Sequence, residues 1–425
     1  MADKAALESH LKTLRALPTI RQRCKLVHAL AQQNKLQYFE YHPEKEHEVV
    51  MFCEEIMRRD YESFSKACIS HTVPVEEQCA RLLDLFLVSV LLDAGAGNVW
   101  KYKEEIENGE VYSRSEGLAI ASLDMFKKGL FSSDPEMKER VDAQGLSSLD
   151  ATKVGEGLQV NARNPLSGLE GRAGLLQKLG SALTQSPQYF GEEGRVGNLL
   201  TFLKTKSLTS HAGRTSVHIS TLWEVVMQGL APIWPTDRTT LGGVPLGDVW
   251  RCDALANVEG SATAEHEVSE LEKEAHGLVP FHKLSQWLTY SLVEPIEKLL
   301  GWKFEGMEDM TGLPEYRNGG LLVDLGVLKL REGALGREFY PDTASSIPRL
   351  PPSHPAIIEW RAMTVIELDR LASQLRVQTS TPSLSLPQVL EAATWKGGRE
   401  IAKALRANVN GGGPPIEIES DGTVF

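Results

Sequence analysis

The sequence is short of cysteine and of long apolar runs, and each shortage narrows the field. Its five cysteines (Cys24, Cys53, Cys68, Cys79 and Cys252) are an odd number and form no CxxC pair. That argues against a disulfide framework or a zinc ribbon and fits reduced thiols. The most apolar run, LLDLFLVSVLLDAGAG at 82–97, is broken by Asp84 and Asp93. It is too short to span a bilayer and reads as a core helix. Basic residues are outnumbered, 45 Lys and Arg against 57 Asp and Glu, for a net charge of −12. This balance argues against a nucleic-acid surface but leaves room for a local pocket that takes one phosphate. No GxSxG elbow, Walker loop, GxGxxG or HExxH occurs, so the common hydrolase, nucleotide and zincin signatures are missing. The eleven histidines are scattered, and His42 and His47 sit in a charged segment that reads as surface. Nothing repeats at a fixed period, which argues against solenoids and propellers. The opening MADKAALESHLKTL is charged from its third residue, unlike a secretory leader. A cytoplasmic location is expected, with the nucleus also open.

What remains is helix. AALESHLKTLRAL and RQRCKLVHALAQQ carry apolar residues at three- and four-residue spacing, separated at Pro18. EKEHEVVMFCEEIMRRDY and VEEQCARLLDLFLVSVLLD continue the pattern, the second just after Pro74. Further helices are predicted at 115–128, 170–184, 196–204, 215–229, 282–300, 354–376 and 386–406. Strand signals are sparse; PPIEIESDGTVF at the C-terminus alternates and holds an Asp-Gly turn, which predicts a short hairpin. Residues 332–353 read as a surface loop, and 378–387 and 410–415 as short linkers. The predicted fold class is predominantly α, one unit over 1–425. A subdivision into an N-terminal helical layer, 1–110, and a core, 111–425, also fits.

Five segments concentrate polar and aromatic residues. In LLDAGAGNVWKY, 91–102, an apolar helix ends at Asp93 and two glycines lead to Trp100. This is either a glycine-capped helix end or a pocket wall whose aromatics stack a flat substrate. In YSRSEGLAIASLDMFKKG, 112–129, Ser113 or Ser115 can cap a helix and Glu116 suits its first turn. Arg114 is then left as an anion candidate at that helix start. In LGGVPLGDVWRCDALANVEG, 241–260, Asp248 stands near Trp250. It is either solvated or paired with an arginine, or it faces a cleft where desolvation raises its pKa for acid–base work. In VPFHKLSQWLTYSLVEP, 279–295, polar residues interleave with aromatics, and His282 and Lys283 suit a phosphate or carbonyl at a helix start. A buried helix with satisfied hydroxyls is the plainer alternative. The last segment, TGLPEYRNGGLLVDLGVLKL, 311–330, sets Glu315, Tyr316, Arg317 and two glycines ahead of an apolar run. Glu315 is a helix cap or a carboxylate held for chemistry. Paired with Asp248, it matches the two-carboxylate arrangement that cleaves glycosidic bonds.

The blocks LLDAGAG…W, RSEGLA, NPLSGLEGRAGLL, LGDVW, VPFHKLSQWL, TGLPEYRNGGLL, EWRA and SDGTVF resemble the uracil-catabolism protein 4 family of fungi and bacteria. The resemblance runs from about residue 10 to Phe425. It implies a role in the pathway that opens the uracil ring and passes through ribosylurea-type intermediates to urea. The order of blocks is also similar to that of queuosine salvage proteins, helical nucleotide N-glycosylases with a DNA-glycosylase-like fold. Gly247-Asp248-Val249-Trp250 resembles their Ala-Asp-Thr-Trp block, and Pro314-Glu315-Tyr316-Arg317 resembles their Ala-Asp-Tyr-Arg block. Here Glu315 replaces their Asp, Asn318-Gly319 replace an apolar residue and Pro, and the segment between the acids is longer.

This second resemblance implies an N-ribosyl hydrolase that cleaves a ribosylurea-type nucleoside or nucleotide to urea and ribose or its phosphate. Asp248 would steady charge at the anomeric carbon or bind ribose hydroxyls. Glu315 would position or deprotonate water, and Arg317 would keep that carboxylate ionised. Trp250, Trp100 and Tyr316 would shape the pocket, and His282, Lys283 or Arg114 would take the phosphate. Asp93, Glu116, Tyr290 and Asn318 complete the expected substrate contacts. No cofactor or metal is expected. The expected partner is a small ribosylated urea or pyrimidine-derived molecule, with other uracil-catabolism enzymes as further partners and no nucleic acid or membrane. Two other readings stand beside this one: a non-catalytic scaffold of the pathway, and a ureide amidohydrolase that would require a metal.

Overall fold

A computed structural model describes residues 2–60, 73–93, 95–97, 99–106, 109–210, 213–236, 238–262, 269–341, 346–407 and 412–419. The chain is predominantly α, with short paired strands between the helices. It forms two compact units, each discontinuous in sequence, so no single cut separates them. The first draws on Met1–Lys66, Thr236–Lys283 and Glu308–Glu419, the second on Ala67–Pro235, Leu284–Met307 and Ser420–Phe425. No helix among the described residues is long and apolar enough to cross a membrane. Cys24, Cys53, Cys79 and Cys252 are free and buried, and burial pushes the thiols of Cys53, Cys79 and Cys252 up to about 12. Cys68 lies outside the described residues.

The first unit is organised by the helix Pro355–Gln378, in which every residue from Ala356 to Leu368 is buried. Pro355 opens it, and the His354 ring accepts the Ala356 N–H at 3.1 Å as its cap. Polar residues on so buried a helix need partners. Glu359, for example, accepts the backbone N–H groups of Gln37 (2.8 Å) and Tyr38 (2.9 Å). The helices Leu17–Gln32 and Glu46–Asp60 pack on this central rod. Pro18 stands in the first turn of the former, so the break falls just before it.

Glycines let two further helices approach closely. Tyr316–Asp324 packs beside Trp395–Arg406. A Cβ on Gly398 would overlap the Arg317 carbonyl, and one on Gly319 would lie 2.7 Å from the Trp360 indole nitrogen. An ordinary helix gains from Gly→Ala, by about 1 kcal/mol, but here the added methyl has no room. Gly398→Ala is expected to destabilise the protein by about 1–3 kcal/mol, the usual overpacking range. A urea titration in which the variant matched or exceeded wild type would contradict this contact.

Short strands complete the unit. Phe39–Tyr41 pairs antiparallel with Leu328–Leu330, and Val249–Arg251 with Leu278–Pro280. Glu417–Ile418 pairs in parallel with Arg349–Leu350. Of the hairpin predicted over 414–425, the Asp-Gly turn and the residues after it lie outside the described residues, and the described strand Glu417–Ile418 is taken up by this parallel pairing.

The second unit is built on the helices Val75–Leu92, Arg114–Lys127 and Leu169–Gln185. Asp84, one of the two acids that interrupt the apolar run, is fully buried. It accepts from Arg195 Nε at 2.9 Å and from the Gly197 N–H at 2.7 Å. Arg195 in turn bridges to Glu77 through both Nη atoms, so the interior charge is matched. The helix predicted from residue 215 starts only at Ile219. Thr215–His218 is a strand that pairs in parallel with Lys303–Glu305. The β-branched Thr215 and Val217 favour that extended backbone.

Candidate functional site

Of the sequence candidates, Asp248, Trp250, His282, Lys283, Glu315, Tyr316, Arg317 and Asn318 belong to the first unit. Asp93, Trp100, Arg114, Glu116 and Tyr290 belong to the second. In the first unit the strand pair Val249–Arg251 and Leu278–Pro280 sets Asp248 opposite residues 281–283. The Asp248 carbonyl accepts the N–H groups of Phe281 (2.9 Å) and His282 (3.3 Å). The Asp248 carboxylate is saturated. Oδ1 accepts from Trp250 Nε1 (2.7 Å) and Arg361 Nη1 (2.7 Å); Oδ2 accepts from Arg361 Nη2 (2.8 Å) and the Lys283 N–H (2.9 Å). Four donors fill the four lone-pair positions of a carboxylate. Burial disfavours its ionisation, but the Arg361 charge and these bonds prevail and hold the carboxyl well below the usual carboxylate range. Of the two readings of Asp248, the arginine-paired one is what the structure shows, and the upward shift of an unpaired cleft acid is absent.

Arg361 is the residue the sequence reading missed. It is 3% exposed, stacks at 4.2 Å over the Phe281 ring, and donates from Nε to the Pro314 carbonyl at 3.3 Å. One guanidinium thus grips the loop of Asp248 and the residue just before Glu315. The two acid-bearing segments meet there. Arg361 lies inside the EWRA block on a helix buried nearly all round, so the one available signal was a cation at a position that must be core.

Glu315 caps the helix Tyr316–Asp324. Its Oε1 accepts the Asn318 N–H at 2.6 Å and its Oε2 the Arg317 N–H at 3.0 Å. Each oxygen keeps one lone pair. Burial raises the pKa of Glu315, against the opposing charges of Arg317 and Lys283 and the two backbone bonds. The following residues form a helix, and neither glycine of the NGG block has positive φ. These glycines serve close packing, not a loop. Asn318 ties this helix down: its amide donates to the Leu313 carbonyl and accepts from the Thr394 hydroxyl, both at 2.9 Å.

The Arg317 guanidinium is not ion-paired with Glu315. It donates from Nε to the Tyr316 hydroxyl at 3.1 Å and lies 4.2 Å from the Trp395 ring centroid and 5.3 Å from that of Tyr316. Nor is His282 an anion ligand. It sits at φ 44°, is buried, and donates from Nε2 to the Leu14 carbonyl at 2.9 Å. Burial lowers its pKa, which keeps the ring neutral.

In the second unit Trp100 is 1% exposed, donates to the Leu158 carbonyl at 2.9 Å and packs against Gly117. It is core, not a pocket wall. Asp93 is the C-cap residue of Val75–Leu92. Arg114 opens the helix Arg114–Lys127 at φ 54°, Glu116 lies in its first turn, and the Ser113 side chain makes no cap bond. Tyr290 stands on the helix Lys283–Leu300. Among the described residues no three His, Cys, Asp or Glu side chains are grouped to hold a metal.

Fold and site together define a helical protein with a clamped carboxylate–guanidinium pair beside a second carboxylate that retains acceptor capacity. Its sequence matches the family model described as Protein of unknown function (DUF1688) over residues 13–72 and 65–425. It is 38% identical over 452 residues to Uracil catabolism protein 4 of Lachancea kluyveri, covering 99% of this chain and all of that protein. It is 40% identical over 442 residues to Protein urg3 of Schizosaccharomyces pombe, covering 97% of this chain and 98% of that one. The chain belongs to the DUF1688 family, the family of Uracil catabolism protein 4.

Proposed function

We propose that this chain acts in uracil catabolism as an N-ribosyl hydrolase, releasing urea from a ribosylurea-type substrate. The observation that carries the reading is Glu315. It is a half-buried carboxylate with raised pKa and one open lone pair on each oxygen, on a loop fixed by Arg361. The name of one full-length relative, Uracil catabolism protein 4, supplies the pathway.

The chemistry follows from that carboxylate. Water attacks the anomeric carbon, a C–O bond forms and the C–N bond breaks. Glu315 takes the proton from water and returns one to the departing urea nitrogen, so no charge is left on the products. A carboxylate with raised pKa suits both halves of that relay better than one at its ordinary value. Asp248 has no lone pair left for ribose hydroxyls. It acts as a positioning residue, fixing Arg361 and through it the 314–315 backbone. Trp250 holds Asp248 Oδ1 through its indole N–H, and Tyr316 holds Arg317 through its hydroxyl.

Purified protein incubated with ribosylurea or its 5′-phosphate is expected to release urea well above the uncatalysed blank. A folded protein that released none from either compound would overturn this reading.

A further inference from the structure

The position of Arg317 carries one step more, which rests on the hydrolase reading. Arg317 is 8% exposed, yet among the described residues no carboxylate lies within hydrogen-bond or ion-pair reach of its guanidinium. Among the described residues its side-chain hydrogen bond is the one from Nε to the Tyr316 hydroxyl. The Nη groups are not among the sealed, unpartnered atoms of the described residues, so they front accessible space. A buried cation with no directly bonded carboxylate is costly, and ring stacking offsets only about 0.5–2 kcal/mol of that. A second guanidinium, Arg399, lies 5.8 Å from the same Trp395 ring. Both Arg317 and Lys283 act electrostatically on Glu315. In a chain of net charge −12, Arg317 and Lys283 thus set positive charge beside the proposed reacting carboxylate.

We infer that Arg317, held between Trp395 and Tyr316 and supported by Arg399, is the subsite for the phosphate monoester of a ribosyl 5′-phosphate substrate. A planar guanidinium matches two phosphate oxygens at once, and the aromatic rings keep its plane fixed while Nε stays tied to Tyr316. This replaces His282 and Arg114 as phosphate ligands: the first is neutral and turned to a backbone carbonyl, the second lies in the other unit.

The test is binding of ribose 5-phosphate by titration calorimetry, with ribose and inorganic phosphate as comparison ligands. Wild type is expected to bind ribose 5-phosphate and inorganic phosphate, and to bind ribose far more weakly. Arg317→Met is expected to weaken ribose 5-phosphate binding by about 10- to 100-fold, the usual effect of losing a charged hydrogen-bond pair, with Arg317→Lys intermediate. In wild type, ribose 5-phosphate is expected to slow phenylglyoxal modification of Arg317, followed by peptide mass spectrometry, and this arm does not require the variant to fold. Equal binding by wild type and a folded Arg317→Met, or undiminished modification of Arg317 under saturating ligand, would overturn the assignment. Binding does not depend on turnover. A protein that binds ribose 5-phosphate through Arg317 but releases no urea would refute the hydrolase reading and leave the subsite standing.

Discussion

Replacing Glu315 by glutamine is expected to lower the rate of urea release by about 10²- to 10⁴-fold, the usual worth of a positioned acid–base group. The amide has the shape of the carboxylate but cannot accept a proton from water. Glu315 also caps a helix, so the effect on folding must be separated from the effect on chemistry. Glutamine can accept one of the two backbone N–H groups now bound by Oε1 and Oε2, which costs about 0.5–2 kcal/mol of stability. Aspartate is the better control. It caps helices as well as any residue, yet its carboxyl is withdrawn by one methylene. Glu315→Asp is therefore expected to keep the urea midpoint of wild type and still lose most of the activity. The pH profile adds a third reading. Because burial raises the Glu315 pKa, the acid limb of kcat/KM is expected above the ordinary glutamate value of about 4.3. If capping were its whole role, the aspartate variant would be fully active.

Asp248→Asn is expected to be the most destabilising single change in the first unit, by about 3–5 kcal/mol. The asparagine NH₂ would face donors from Arg361 and Lys283 that now point at Oδ2. The guanidinium, 4% exposed at its side chain, would be left with half a partner. The sign of the pH dependence follows from the depressed pKa of Asp248. A carboxyl that ionises more readily in the folded state contributes its full stability above its unfolded value, about 3.9. That contribution fades as the pH falls through the lower folded value. The gap between wild type and variant is thus expected to be widest near neutral pH and to narrow below about pH 4. It is best read from the fluorescence of a probe within the first unit, because two compact units need not unfold together. A gap under 1 kcal/mol at pH 7 would mean that the Arg361 clamp does not hold the site.

The helices were legible because their signals are local: apolar spacing, Pro18 and Pro74 at helix starts, glycines near ends. The strand Thr215–His218 was not, since its partner lies near residue 304 and the extended preference of Thr215 and Val217 spans too few residues to stand out beside the helix that follows. The 316–324 helix was hidden by its own glycines, which look like breakers until the close approach of Trp360 and of the Trp395–Arg406 helix is known. Both candidate acids were found from the sequence, but what distinguishes them was not. Asp248 and Glu315 look alike on paper, and Arg361, 113 residues from Asp248, makes one a neutralised clamp and leaves the other with open acceptor sites. His282 misled for a related reason. Its aromatic, polar neighbourhood suggests a ligand site, whereas its backbone turns the ring toward the Leu14 carbonyl.

The central claim is that the bond cleaved joins ribose to nitrogen. The direct measurement is the product ratio from ribosylurea 5′-phosphate and wild-type protein, with urea, reducing sugar and ammonia quantified in one reaction. Cleavage at the ribosyl bond predicts urea and ribose 5-phosphate in equal amounts and no ammonia. Ammonia without reducing sugar would place the attack on the ureide carbonyl and contradict the account.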